Sequence, residues 1–204
     1  MNTSPPDILA QLQARAGSQA RVVYADPPWR FKSNSAARPG RNAMRHYPTM
    51  TLREIEALPV RDVVDRDAIL WLWITGPLLV QGAHVPVMKA WGFTPSAMGF
   101  VWVKLNKRAA SLFVMHEDVF MGGGFTTRKN AEFCLIGKRG KSLRKSASVR
   151  EILISPVRDH SRKPDEAIKA VESYSDGPYL ELFGRQSRPG WTVLGREATK
   201  FDPM

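Results

Sequence analysis

Seven short runs of β-branched and aromatic residues, at 21–25, 68–75, 97–104, 132–137, 151–154, 179–183 and 191–194, punctuate this chain and limit its fold more than any other feature. Each has the length and composition of a strand. Several, such as AILWLWIT at 68–75, are apolar without strict alternation, as required of a sheet covered by helices on both faces. Helix signals stand between them. Thr51-Leu52-Arg53-Glu54 is a capping box that opens a helix ending before Pro59. Pro164-Asp165-Glu166 starts another, with acids near the positive end of the helix dipole and Ile168 and Val171 facing inward. Strands alternating with helices predict an α/β fold of about seven strands with a mainly parallel sheet.

A chain of 204 residues has room for one domain spanning 1–204, with 1–20 as an N-terminal segment. Lys and Arg exceed Asp and Glu to a net charge of +11, which raises the local concentration of polyanions and makes nucleic acid the first partner to consider. The lone cysteine, Cys134, excludes an intrachain disulfide and a multi-cysteine zinc site, and its apolar run suits a packed core thiol. The sequence carries neither a secretory n-region and h-region nor an apolar run near the ~18 residues of a membrane span, so a cytoplasmic protein without membrane contact is expected. The histidines His46, His84, His116 and His160 are scattered, and no metal site is expected. Homo- or heterodimerisation is left open.

Charge concentrates in two stretches. Arg30, Lys32, Arg38, Arg41 and Arg45 interrupt a Ser-, Asn-, Gly- and Pro-rich segment free of acids, which reads as a mobile substrate loop over 30–48 with Tyr47 at its exit. Residues 128–150 hold eight basic side chains, beginning with Arg128 and Lys129, with Glu132 as the one acid. Both stretches are expected to contact nucleic acid.

The chemistry centres on Val22-Val23-Tyr24-Ala25-Asp26-Pro27-Pro28-Trp29. An acid, two prolines and a large aromatic follow the first strand, at the carboxyl end where open α/β sheets bind ligands. The prolines stiffen the turn and remove its donors, so its carbonyls are expected to find partners outside it. Asp26 and the Pro27 carbonyl can accept the two hydrogens of an exocyclic amine while Trp29 stacks on the base that bears it. An aromatic amine is a poor nucleophile because its lone pair is delocalised. Two acceptors in a dry pocket favour its pyramidal form and stabilise the positive charge that develops as it attacks an electrophilic methyl group. By contrast, Gly140-Lys141-Ser142 lacks the glycine and loop of a phosphate cradle, and Gly122-Gly123-Gly124 lacks dinucleotide spacing.

Ala25-Asp26-Pro27-Pro28-Trp29 resembles the signature of the METTL-type (MT-A) family of adenine N6-methyltransferases. Tyr47-Pro48-Thr49-Met50, Leu70-Trp71-Leu72-Trp73, Val101-Trp102-Val103-Lys104, Glu132-Phe133-Cys134-Leu135-Ile136-Gly137, His160-Ser161-Arg162-Lys163-Pro164-Asp165-Glu166, Glu181-Leu182-Phe183-Gly184-Arg185 and Trp191-Thr192-Val193-Leu194-Gly195 follow in the family's order. The resemblance implies a Rossmann-like methyltransferase of permuted motif order that uses S-adenosyl-L-methionine. It implies catalysis by Asp26, Pro27, Pro28 and Trp29, with Asp26 touching both the target amine and the methionine amino group and Lys163 near the methionine carboxylate. Glu181, Leu182, Phe183, Gly184 and Arg185 would line the cofactor pocket with Arg185 near the ribose, Arg196 and Glu197 would stand at the family's ribose-holding position, and Asp7 would lie near the adenine. Arg30, Arg38, Arg41, Arg45, Tyr47, Arg128 and Lys129 would meet the substrate. The family often has Asn where Arg196 stands, and its messenger-RNA members have Pro-His-Asn in place of Gln186-Ser187-Arg188. The implied reaction is methylation of adenine N6 in nucleic acid, DNA favoured and RNA open. The alternatives are a catalytically degenerate binding subunit and methylation of cytosine N4.

Overall fold

In a computed structural model, residues 7–30, 49–109, 114–124, 126–141, 143–158 and 162–203 are described. All seven expected strands are present: β1 (Ala20–Ala25), β2 (Val64–Ile74), β3 (Thr94–Leu105), β4 (Ala131–Arg139), β5 (Ile152–Pro156), β6 (Tyr179–Leu182) and β7 (Trp191–Leu194). They form one sheet in the order β5-β3-β4-β2-β1-β6-β7. Pairing is parallel except at β4, which runs antiparallel to both β2 and β3. The sheet is mainly parallel, as the run composition requires. Successive residues of β1 and β2 feed opposite faces. Val23, Ala25, Leu70, Leu72 and Ile74 join one apolar cluster, and Val22, Tyr24, Ile69, Trp71 and Trp73 the other.

Helices cover both faces. On the first lie α1 (Ile8–Gln13), α2 (Leu52–Glu56), α3 (Gly76–Val80) and α4 (His84–Ala90), which bury Leu12, Ile55, Leu78 and Val87. The second is covered by α5 (Asp165–Tyr174) through Ala167, Ile168 and Val171. The Thr51 capping box forms as expected: its hydroxyl accepts from the Glu54 amide, and Glu54 accepts from the Thr51 amide. In α5, Pro164 occupies the cap and Asp165 and Glu166 the first turn. α1 was not foreseen, because its six residues are too few to show helical periodicity; tertiary contacts hold it. Gln11 receives the Gly195 amide at 3.0 Å, docking α1 on the exit of β7.

Cys134 is fully buried in β4, and burial pushes its thiol well above the ordinary value. That is a core thiol. No helix among the described residues is long and apolar enough to cross a membrane, and no described group of His, Cys, Asp and Glu could hold a metal ion.

Candidate active site

The parallel strands point their carboxyl ends to one edge of the sheet, where β1, pairing β2 on one side and β6 on the other, marks a change of winding direction. Ligand crevices of open α/β sheets form at such an edge. Because β4 is reversed, its first residues join this edge: Phe133 stands opposite Ile74 at the end of β2. A cavity of about 730 Å³ opens there, within the range of small-molecule sites.

Asp26, Pro27, Pro28 and Trp29 line the cavity directly after β1. The turn is tied at its exit. Met50 donates to the Pro28 carbonyl at 2.8 Å and accepts from the Arg30 amide at 2.9 Å, so the two stems of the basic loop are paired at the cavity mouth. Arg38, Arg41, Arg45 and Tyr47 lie outside the described residues, while Arg30 is exposed beside them in sequence. The Pro27 carbonyl departs from the expected pattern. The Pro27 carbonyl accepts from the Trp29 amide at 2.8 Å, inside the turn rather than outside it, because three residues suffice to close that bond. Its second lone pair is what can face a substrate amine. Trp29 is 6% exposed and donates through Nε1 to the Trp73 carbonyl at 2.9 Å. It forms a pinned wall whose exposed part borders the cavity.

Behind Asp26 runs a chain of alternating charges. Lys163 donates to the Asp26 carboxylate and reaches Glu132 Oε2 at 3.2 Å; Lys104 binds Glu132 Oε1 from the other side. The Lys163 ammonium also lies 5.4 Å from the Trp73 ring centre. Two ammoniums and two carboxylates balance, which is how four charges can share a water-poor site. Burial works against the Lys163 charge, but Asp26 and Glu132 outweigh it and hold the ammonium above its ordinary value. Burial alone would raise Glu132; Lys163 and Lys104 reverse this and bring it to about 2. Asp26 is pushed above its ordinary value by burial against the pull of Lys163, and the Glu132 charge adds to the push.

Lys163 lines the cavity, but both its described acidic partners are the protein's own, which makes it first a support for Asp26. Sequence reasoning gave Glu132 and Lys104 no role. Glu132 is the one acid of the basic stretch 128–150 and Lys104 closes an apolar run, but nothing local shows that the two meet.

The other wall comes from the loops after β6 and β7. Phe183, Gly184, Arg185, Gly195, Arg196 and Glu197 line the cavity, as do Asp7, Ile8 and Leu9 of the α1 region. Arg185 Nε donates to Glu197 Oε2 at 2.8 Å, and Arg196 stands 3.9 Å from Asp7. Phe183 has φ +63°, a left-handed backbone that costs a bulky residue about 1–3 kcal/mol and recurs at ligand sites. Gly195 is required here: a Cβ on it would lie 2.6 Å from the Gly184 carbonyl, so the two loops could not approach.

Glu181 and Leu182 are outside the cavity, contrary to expectation. Glu181 pairs in register with Tyr24, whose ring belongs to the α5 face, and there it receives Arg188 Nε at 2.9 Å; Leu182 is fully buried in the core. The stretch 128–150 is also not one surface. Arg128 and Lys129 precede β4 at the cavity edge, exposed but not lining the cavity, whereas Lys138 stands near the other end of this nine-residue strand and Lys141 just past it, roughly 27 Å away by strand rise.

A family model named MT-A70 matches residues 20–197. The chain belongs to the MT-A70 family. Among relatives, it is 29% identical over 195 residues to the Type II methyltransferase M.MunI of a Mycoplasma species, covering 87% of this chain and 77% of that protein. It is 28% identical over 180 residues to the human N(6)-adenosine-methyltransferase catalytic subunit METTL3, covering 86% of this chain but 28% of METTL3. A Drosophila melanogaster N(6)-adenosine-methyltransferase MT-A70-like protein matches at 29%, over 26% of its length. The chain thus spans about three quarters of the first relative and about a quarter of the other two. The seven-stranded α/β sheet is the methyltransferase-like fold expected of an MT-A70 member.

Proposed function

We propose that this MT-A70 protein transfers a methyl group from S-adenosyl-L-methionine to the N6 amine of adenine in nucleic acid, DNA in preference to RNA. The observation that carries the reading is the Asp26 carboxylate, held by Lys163 at the floor of a cavity whose other wall is Phe183 to Arg185 and Gly195 to Glu197. The chemistry of these residues fits the cofactor. Asp26 can accept from a methionine amino group; Phe183, Ile8 and Leu9 offer apolar surface to a base; Glu197 and Asp7 can accept from ribose hydroxyls. Lys163 and Arg185 are cavity-lining cations that would meet a methionine carboxylate. When bound, S-adenosyl-L-methionine supplies an electrophilic methyl on a sulfonium.

The chain's own residues do the rest. Asp26 and the free lone pair of the Pro27 carbonyl accept the hydrogens of the target amine and oppose its developing positive charge. The alternation of Lys104, Glu132, Lys163 and Asp26 keeps that carboxylate in place without leaving a net charge in the buried site. Trp29 closes the floor against water and presents its free edge or face to the base.

An adenine in a duplex is out of reach of a recessed carboxylate, so the base must leave its stack; the pairing of Arg30 with Met50 lies at the cavity mouth, and the basic residues between them in sequence are the ones assigned to hold the extruded strand. The preference for DNA rests on the long match to a Type II methyltransferase through most of both chains; the net charge of +11 supports a nucleic acid of either kind. Incubation with labelled S-adenosyl-L-methionine and either genomic DNA or total RNA, followed by digestion to nucleosides, tests the reading. Label in N6-methyldeoxyadenosine is expected; label confined to N6-methyladenosine from RNA or to N4-methyldeoxycytidine overturns the substrate, and nucleic-acid binding without transfer overturns the activity.

A further inference from the structure

The cofactor-side wall is held from behind by a turn that follows it in sequence. Residues 197–202 fold back on the cavity wall, with the Lys200 amide donating to the Glu197 carbonyl at 2.9 Å and the Asp202 amide to the Thr199 carbonyl at 3.1 Å. From this turn Phe201 donates its amide to the Arg185 carbonyl at 3.0 Å, and Asp202 receives the Ser187 amide at 2.7 Å. The Phe201 ring meets two cations: the Arg185 guanidinium 4.8 Å from its centre and the Arg162 guanidinium at 5.0 Å.

These arginines come from different loops. Arg185 follows β6 and lines the cavity; Arg162 is the neighbour of Lys163, in the loop before α5. Arg162 is anchored to Gln186 at 2.7 Å, yet its Nε is buried without a hydrogen-bond partner among the described residues. Arg185 is balanced by Glu197, whereas the buried Nε of Arg162 finds no such partner among the described residues. An aromatic face attracts both through its quadrupole. Phe201 lies beyond residues 20–197, which the family model matches.

We propose that Phe201 is a positioning residue for the cofactor site: its ring holds the Lys163 loop and the Arg185 loop at a fixed separation, so that Arg185 and Glu197 meet the cofactor already oriented. This rests on the reading of the cavity as an S-adenosyl-L-methionine site, but its mechanical part does not. Phe201→Ala should weaken binding of S-adenosyl-L-methionine and of S-adenosylhomocysteine about tenfold, the size of a partly desolvated cation–π contact. The KM for cofactor should rise with kcat little changed, and affinity for nucleic acid should stay the same.

Phe201→Leu preserves apolar bulk without the aromatic face and should behave like Phe201→Ala; Phe201→Tyr or Phe201→Trp should restore binding. A Leu variant that binds cofactor like the wild type reduces Phe201 to packing and overturns the proposal. Hydrogen exchange on the protein without cofactor supplies the second measurement. The amides of Gly184 and Ser187 should exchange faster in Phe201→Ala and Phe201→Leu and at the wild-type rate in Phe201→Tyr. Unchanged exchange in the Ala variant overturns the proposal even if the wild type binds no cofactor, whereas wild-type failure to bind cofactor with the exchange pattern intact overturns the functional reading alone.

Discussion

Lys163 donates to the carboxylate of Asp26 across 137 positions of sequence. The contact joins the loop before α5 to the turn after β1, and it makes the acid of the Asp-Pro-Pro-Trp turn one end of a charge chain rather than an isolated carboxylate.

Asp26→Asn should lower methyl transfer by about a hundredfold or more, the usual cost of losing one electrostatic group aimed at developing charge. Single-turnover rates with saturating cofactor measure it. A variant within a few-fold of wild type removes Asp26 from the chemistry.

Lys163→Met leaves the carboxylates of Asp26 and Glu132 facing each other without the ammonium that is 9% exposed between them. Breaking a buried ion pair in this way costs about 3–5 kcal/mol, with the upper figure reduced here because Asp26 is 30% exposed. Urea unfolding at neutral pH reads the loss. Adding Glu132→Gln to Lys163→Met should recover part of it, because Lys163→Met alone leaves two carboxylates against the single ammonium of Lys104, and the second substitution restores the balance.

The Glu132 carboxyl, at about 2 against an ordinary 4.5, is depressed in the folded protein. Its contribution is therefore fully present above about pH 4.5 and fades as the pH falls toward 2, with about 3 kcal/mol as the ceiling. Asp26 has the opposite sign: its value is raised on folding, so its ionisation costs stability at neutral pH and protonation relieves that cost. The stability gap between wild type and Glu132→Gln should shrink as urea unfolding is repeated from pH 5 downward. A gap that stays constant with pH disproves the ion-pair account.

Trp29→Phe removes the bond to the Trp73 carbonyl and should cost about 1 kcal/mol, with much of the activity kept. Trp29→Ala opens a buried cavity and should cost about 3–5 kcal/mol of stability and most of the activity. Thermal unfolding and initial rates separate the two effects. Equal behaviour of the Phe and Ala variants rules out a role for the ring.

Arg38, Arg41 and Arg45 fall in sequence between Arg30 and Met50, which pair at the cavity mouth. Replacing all three with Ala should flatten the plot of log affinity for nucleic acid against log salt by up to about three in slope, one per phosphate contact. Replacing Lys138 and Lys141, at the other end of β4, should leave the slope unchanged. A drop only in the second variant places the nucleic-acid track on the far edge.

All seven strands, the Thr51 cap, the Pro164 start of α5 and the Asp26 turn were legible in the sequence. They rest on interactions within a few residues, and apolar runs and turn chemistry record such interactions directly. What joins distant segments was not legible. Glu132 reaches Lys163 because β4 runs backward beside β2 and delivers its first residues to the carboxyl edge, a matter of strand order that no window of sequence contains. Glu181 leaves the cavity because its register with Tyr24 turns it to the α5 face, and the basic stretch 128–150 divides because a nine-residue strand carries its two ends apart. Local propensity writes the elements and the turn; the pairing of strands, set by burial of both faces at once, decides which charges meet.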